Sequence, residues 1–401
     1  MRNTDKKQVL IVGGGFGGIK AAIDLSKDDR FSVSLLSDSE DFRYNPTLYR
    51  TATGGMRAES NIPLVTIFHD RPVGLIKGRA VKINREEKTV VTTDGQILHY
   101  DILVLALGMV TNYFGIKGLP EYSYGIKSLE EAMRFKKHLH QQMTDDHQPD
   151  LNYIIVGGGP TGIELAGALP EYLHRIMKAH KIRHKAIHID LVEAAPHLVP
   201  RLPKRMGRSI EKQLRKTGVK LYLGKAVGGE TADGLMIDGQ KIPSHTVIWT
   251  AGMANSPFFK ENGFVLTDRG KVEVSEFLSA ELDIYVLGDN NSTQYSGMAQ
   301  TALLDGQFVA SNLIRAADGL QPRSYKARKP VYVLPAGPQW AAVQWQNVEF
   351  YGRFGWMLRS MADFVAYHDL EPWWLAAEQW MTEFGTEEDC PTCATWREDY
   401  I

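Results

Sequence analysis

The chain has 401 residues, 43% of them apolar and 23% charged, and carries a net charge of −1. That length exceeds one ordinary core and implies two or three domains, while the balanced charge excludes a general affinity for nucleic acid. No apolar run is long enough to span a bilayer, only Cys390 and Cys393 are cysteines, and the polar opening MRNTDKKQ does not read as a signal peptide, so the expected address is the cytoplasm.

The first element is a strand, KQVLIV, β-branched and apolar as a buried parallel strand should be. Gly13, Gly15 and Gly18 follow as G-x-G-x-x-G. IKAAIDLSK then reads as a helix with Ile19, Ala22, Ile23 and Ser26 toward the sheet. In such a loop the first glycine permits the tight turn, the second lets backbone approach a pyrophosphate, and the third lets helix pack on strand. Free N–H groups at the helix start hold the phosphates. The second strand, FSVSLLSDSED, is where an acid for the ribose is expected. Ser37 stands there with Asp38 next; Asp38 is the candidate, and the Ser37 hydroxyl is the alternative. AVKINREEKTVVTTDGQILHYD reads as a β-meander turning at Asp94–Gly95.

The pattern then repeats. NYIIV leads into Gly157, Gly159 and Gly162 and another helix, which HRIMKAHKIRHKA extends into a basic turn. The later strand AIHIDLVEAAP ends in Glu193. That carboxylate suits a free 2′-hydroxyl, and no Arg or Lys follows immediately, so the second site should take NAD rather than NADP. The other reading of Glu193 is an exposed strand-end acid. LYLGKAVGGETADGLMIDGQKIPS reads as a second meander. Two such cradles on one chain imply two dinucleotides passing electrons to each other. A tightly held, non-covalent FAD in the first and a diffusible NADH in the second form the natural pair.

Further segments resemble the two-dinucleotide, glutathione-reductase-like flavoproteins. YDILVLALGMVTNYFGIKGLPEY (100–122) is similar to their crossover from FAD to NAD domain, VIWTAGMANSP (247–257) to the return, and DIYVLGDNN (283–291) to the late flavin segment. NPTLYRTATGG, VTNYFGIKG, IKSLEEAMRFKKHL, PTGIELAGAL and MAQTALLDGQ resemble, more particularly, type II NADH dehydrogenase, the single-chain NADH:quinone oxidoreductase. The resemblance runs from about residue 7 to about residue 316. It implies an α/β chain of two Rossmann-like dinucleotide-binding domains: an FAD domain (1–118 and 256–325) split by an inserted NAD domain (119–255). By resemblance, Gly108, Asp289, Ala299 and Gln300 join the FAD site, and Gly252 joins the NAD site. Glu164, placed in the first turn of its helix, and Gln300 are the candidate catalytic residues beside the flavin. The family's A-Q-x-A-x-Q segment ends in Leu304 here, which removes an amide donor from the quinone end. No cysteine lies in either nucleotide domain, which argues against disulfide reductases and sulfide:quinone oxidoreductases.

Residues 326–401 form a separate aromatic segment: a hairpin around Gly337–Pro338, a helix with Met357, Leu358, Met361, Phe364 and Val365 at helical spacing, and a second helix with Pro372 at its first position. That second helix sets Trp373, Ala377, Trp380, Met381 and Phe384 on one face. Its other face carries Glu371, Glu378 and Glu383, which anionic lipid would repel. Peripheral membrane contact through residues 350–384, on the cytoplasmic side, and packing on the body or on a second copy as a homodimer are both open. The CPTC tail could serve metal or redox chemistry or hold two thiols of no special role, and the twelve histidines show no ligand spacing, so none is assigned to a metal. The expected activity is hydride transfer from NADH to flavin and two-electron transfer to a quinone. The alternatives are a soluble reductase of a small electron carrier or thiol partner, and an NADH-sensing flavoprotein without turnover.

Overall fold

A computed structural model describes residues 6–144, 152–182 and 186–390. In chain order, β1 (Lys7–Val12) leads through the first glycine loop to α1 (Phe16–Leu25), and β2 (Phe31–Ser37) follows. After α2 (Leu48–Ala52) come β3 (Val73–Lys77) and β4 (Ile102–Leu105). Strand β5 (Met109–Thr111) crosses to the second unit: α3 (Leu129–Thr144), β6 (Asn152–Val156), α4 (Pro160–Ala179), β7 (His188–Glu193), β8 (Val219–Leu223) and β9 (Thr246–Trp249). Strand β10 (Met253–Asn255) returns antiparallel to β5. Then β11 (Ser279–Glu281), β12 (Ile284–Val286) and α5 (Ala299–Ala317) complete the first unit.

The first sheet has the order β11-β12-β4-β1-β2-β3 and the second β8-β7-β6-β9. Within both, the strand carrying the glycine loop is flanked on one side by the next strand and on the other by the strand that precedes a crossing between the units. All four neighbouring pairs of that shared core run parallel. Side-chain alternation explains why these strands read as continuous apolar runs. Val9 and Ile11 pack under α1 while Leu10 and Val12 pack on the opposite cluster with Phe258 and Phe259. In the second unit Tyr153 and Ile155 pack with α4, and Ile154 and Val156 pack with Trp249.

Each unit also holds a three-stranded antiparallel meander, at 80–99 and 227–243. The first turns at Gly95, whose φ is +83°. The opening LYL of the second expected meander instead belongs to β8 of the parallel sheet. The expected hairpin beyond residue 330 is a three-stranded sheet of residues 332–350. Helices α6 (Gly352–His368) and α7 (Trp373–Met381) follow it. Pro372 caps α7 rather than opening it.

Helix α1 lies against α5 at unusually close range. A Cβ built on Gly306 would stand 2.4 Å from the Gly17 carbonyl oxygen and 3.1 Å from the Ala21 nitrogen. Gly306→Ala must therefore push apart the two helices that close the first unit. Its expected cost is about 1–3 kcal/mol, the usual scale for overpacking, read as a lowered Tm of the purified protein; an unchanged Tm would mean that these helices are not in contact as described.

Candidate functional site

Both glycine loops are built the same way, residue for residue. Gly13 and Gly157 hold φ of +116° and +120°. The Gly13 N–H donates to Leu36 O, and the Gly157 N–H donates to Val192 O, each at 2.8 Å. Cβ atoms at Gly18 and Gly162 would fall 2.0 Å and 1.9 Å from the carbonyl oxygens of Gly13 and Gly157. At the middle positions, Gly15 and Gly159, a Cβ would meet nothing within 4 Å. These two residues cap their helices in extended conformation, with no side-chain hydrogen bond to the first turn. The result is a pair of helix N-termini whose donors face open space, which fits a phosphate-bearing dinucleotide at each.

The register equates Ser37 with Glu193, since each follows the strand residue that accepts the glycine-loop N–H. Ser37 is buried, and its hydroxyl crowds Gly14 so closely that a Cβ there would lie 2.7 Å from Oγ. Asp38 sits one residue farther out, exposed, 3.7 Å from Arg43. Glu193 is anchored rather than free: Oε2 accepts from the Gly158 N–H at 2.6 Å and Oε1 from the Ala195 N–H at 2.7 Å.

The late segment locks the crossings together. Gly108 has φ +68°. Its N–H donates to Asn290 Oδ1 at 2.9 Å, and its carbonyl accepts from Asn290 Nδ2 at 2.7 Å. The same Nδ2 reaches Asn255 Oδ1 on the return strand at 2.6 Å. Asp289, expected to face the ribityl chain, is half-buried; burial raises its carboxyl, opposed by Lys271 and by the Gly297 N–H. Asp305, which motif reading passed over, is buried under this turn and accepts from the Gly288 N–H at 2.9 Å and from Asn291 at 2.8 Å. Gly252 packs on the Asn112 carbonyl, where a Cβ would stand 1.9 Å away. Ala299 is the first residue of α5, and the exposed Gln300 accepts the Val331 N–H at 2.9 Å, joining this helix start to the C-terminal segment. Leu304 is half-buried on the same helix.

Glu164 lies past the first turn of α4, which contains no acid, so the helix dipole is not what accounts for its placement. It faces the C-terminal segment. Burial raises its carboxyl well above the ordinary glutamate range, Asp363 on α6 pushes it further, and Arg359 opposes. Around that pair runs a buried ionic network absent from any local motif. Arg359 holds Asp363 at 2.8 Å and also contacts Glu383. Arg50 on α2 holds Glu59 at 2.9 Å and Glu383 at 3.0 Å. Tyr44 donates to Asp363 at 2.7 Å and Ser360 to Glu383 at 2.7 Å.

This network turns α6 inside out. Arg359, Ser360 and Tyr367 face inward, while Met361 (56%) and Val365 (57%) are exposed. On the next helix and its end, Trp373 (63%) and Phe384 (71%) are exposed as well. Glu371 and Glu383, expected on a lipid-repelling outer face, are both buried; of that trio only Glu378 is exposed. Trp380 is half-buried and donates to the Ser360 carbonyl at 2.9 Å. No helix among the described residues is long and apolar enough to cross a membrane. Cys393 lies outside the described residues.

Residues 7–306 match the family described as pyridine nucleotide-disulphide oxidoreductase. The type II NADH:quinone oxidoreductase of Staphylococcus saprophyticus is 27% identical over 339 residues, 79% of this chain and 84% of its own. That of Staphylococcus aureus strain NCTC 8325 is 26% identical over 341 residues, with 79% and 84% covered. Among solved structures, NDH2 from Plasmodium falciparum in complex with NADH superposes with a TM-score of 0.83 at 16% identity, covering 95% of this chain and 98% of its own. The sulfide:quinone oxidoreductase from Aquifex aeolicus gives 0.76 at 18% identity, covering 93% and 92%.

A raised carboxyl in the folded state makes stability fall as pH climbs from the ordinary glutamate range through the folded value, because the folded chain there holds a proton the unfolded chain has released. Glu164→Gln removes that dependence. The variant's Tm is expected to decline less than that of wild type as pH rises above the ordinary glutamate range; parallel curves would show that Glu164 titrates normally.

Proposed function

The chain belongs to the pyridine nucleotide-disulphide oxidoreductase family, and on that premise we propose that it is a FAD-dependent NADH:quinone oxidoreductase of the type II, single-chain kind. The observation that carries this reading is the duplicated glycine cradle, which fits two dinucleotides on one chain. The curated relatives carry the same activity in their names. When bound, FAD supplies two-electron acceptance from NADH and delivery to a quinone.

The chain's own work is binding, orientation and proton control. The α1 terminus and Gly15 hold the FAD pyrophosphate, Ser37 lies at the ribose end with Asp38 beyond it, and Asp289 serves the ribityl end with Gly108, Ala299 and Gln300 alongside. The α4 terminus, with Gly157, Gly159 and Gly162, holds the NADH pyrophosphate, and Gly252 keeps the return strand close. Glu193, held rigid by two backbone donors, meets the 2′-hydroxyl of NADH and repels a 2′-phosphate. Burial holds the Glu164 carboxyl well above the ordinary glutamate range and so favours its protonated form, as suits a group that supplies protons when a quinone is reduced. Burial dominates that shift, and from the C-terminal side Asp363 adds to it while Arg359 opposes it.

The pure protein is expected to be yellow, to bleach with NADH in the absence of oxygen but only weakly with NADPH, and to turn over with a short-chain quinone. A colourless protein that takes up no FAD would overturn the reading. Bleaching without quinone turnover would leave only an NADH-binding flavoprotein.

The same reading has the enzyme rest on the cytoplasmic face of a membrane through residues 350–384. Its support is the outward Met361, Val365, Trp373 and Phe384 together with the inward Glu371 and Glu383. Trp suits the bilayer interface, and burial of each large apolar side chain contributes about 1.5–3 kcal/mol. Met361→Glu combined with Trp373→Glu is therefore expected to weaken sedimentation with lipid vesicles about tenfold or more. Equal sedimentation, or a loss of self-association instead, would assign this face to something other than lipid.

A further inference from the structure

Two histidines and a cysteine from three remote parts of the chain meet at one point. His140 lies on α3, His180 caps the C-terminus of α4, and Cys390 lies on the tail beyond α7. One ligand atom from each lies within 4.8 Å of the other two, and all three residues are partly exposed. Cys390 Sγ stands 3.5 Å from His180 Nε2. The two imidazoles meet edge to face with centroids 5.7 Å apart. Glu388, two residues before the cysteine, brings Oε2 to 3.2 Å from His140 Nε2, and its Oε1 is buried with no hydrogen-bond partner among the described residues.

We propose that His140, His180 and Cys390 form a zinc site. Zn–S bonds of about 2.3 Å and Zn–N bonds of about 2.0–2.1 Å at tetrahedral angles put sulfur and nitrogen about 3.5 Å apart, the separation of Cys390 Sγ from His180 Nε2, and the three ligand atoms lie within 4.8 Å of one another. A thiolate with two imidazoles suits Zn²⁺ and disfavours Mg²⁺ or Ca²⁺, which take oxygen donors. The cation binds as the Cys390 thiol releases its proton, and it places positive charge beside the Glu388 carboxylate.

The site has a mechanical role. Just before Cys390 the tail bridges the two units. Thr386 pairs with Gly55, the Glu387 N–H donates to Gly54 O at 3.1 Å, and the Arg57 N–H donates to Glu387 Oε2 at 2.8 Å. Lys136 of α3 donates to the Glu387 carbonyl. A metal on α3 and α4 would clamp the tail across that joint.

The test uses full-length, flavin-loaded protein stripped with a chelator and titrated with Zn²⁺ alone against a competing indicator. One zinc per chain is expected, with a sulfur neighbour at about 2.3 Å by X-ray absorption. Cys390→Ser and His180→Ala should each weaken binding by at least about tenfold, the scale that even outer-shell partners carry. Zinc should also protect the tail from protease in wild type and not in the variants. Retained flavin and NADH oxidation serve as the folded control. No uptake by wild type overturns the proposal, as does uptake unchanged in His180→Ala, which would leave the metal to thiols alone.

Discussion

A carbonyl oxygen with no room for a methyl group beside it governs both nucleotide cradles. Gly18 rides on the carbonyl of Gly13, and Gly162 on that of Gly157, each nearer than any side chain allows. That approach seats the helix directly over the end of its strand. Its N-terminus, worth about half a positive charge, then opens at the carboxyl edge of the sheet, where the second glycine keeps backbone bare. Any β-carbon at the third glycine lifts the helix and turns those donors away from the ligand.

The second organising contact is ionic. Arg50, Arg359, Glu59, Glu383 and Asp363 are drawn from both nucleotide-binding and C-terminal segments; Glu59, Arg359 and Glu383 are buried, and Arg50 and Asp363 are half-buried. Removing one member of such a set leaves a partner charged and buried, which costs about 3–5 kcal/mol. The network therefore fixes the C-terminal helices in one rotation on the body. It also places Asp363 and Arg359 where they act on Glu164. One set of charges thus orients the outer helices and tunes the central carboxyl.

Features that depend on near neighbours were legible in the sequence. The glycine loops, their flanking strands and helices and the meander at Gly95 all rest on local conformational demands. Features that depend on distant partners were not. The spacing of Met357, Met361 and Val365 shows that α6 has an apolar stripe but cannot say which way it points. The answer came from Arg50, Glu59 and Glu383, which pull Arg359 and Asp363 inward. Glu371 and Glu383 read as solvent-facing acids for the same reason. Asp305 and Asn290 were within reach, since both sit in segments already singled out, yet only the fold shows that they brace Gly288 and Gly108. His140, His180 and Cys390 share no sequence spacing; the packing of α3 beside α4 and the seating of the tail on residues 54–57 and Lys136 bring them together.

The close seating of Gly306 on Gly17 joins the last helix of the first unit to its first across the whole inserted unit. During synthesis α1 leaves the ribosome early and must wait, its buried face uncovered, until α5 has followed. The inserted unit, whose strands and helices are contiguous, can complete its core meanwhile. The first unit is thus the slow, aggregation-exposed one in the nascent chain, and it closes only around an already finished neighbour.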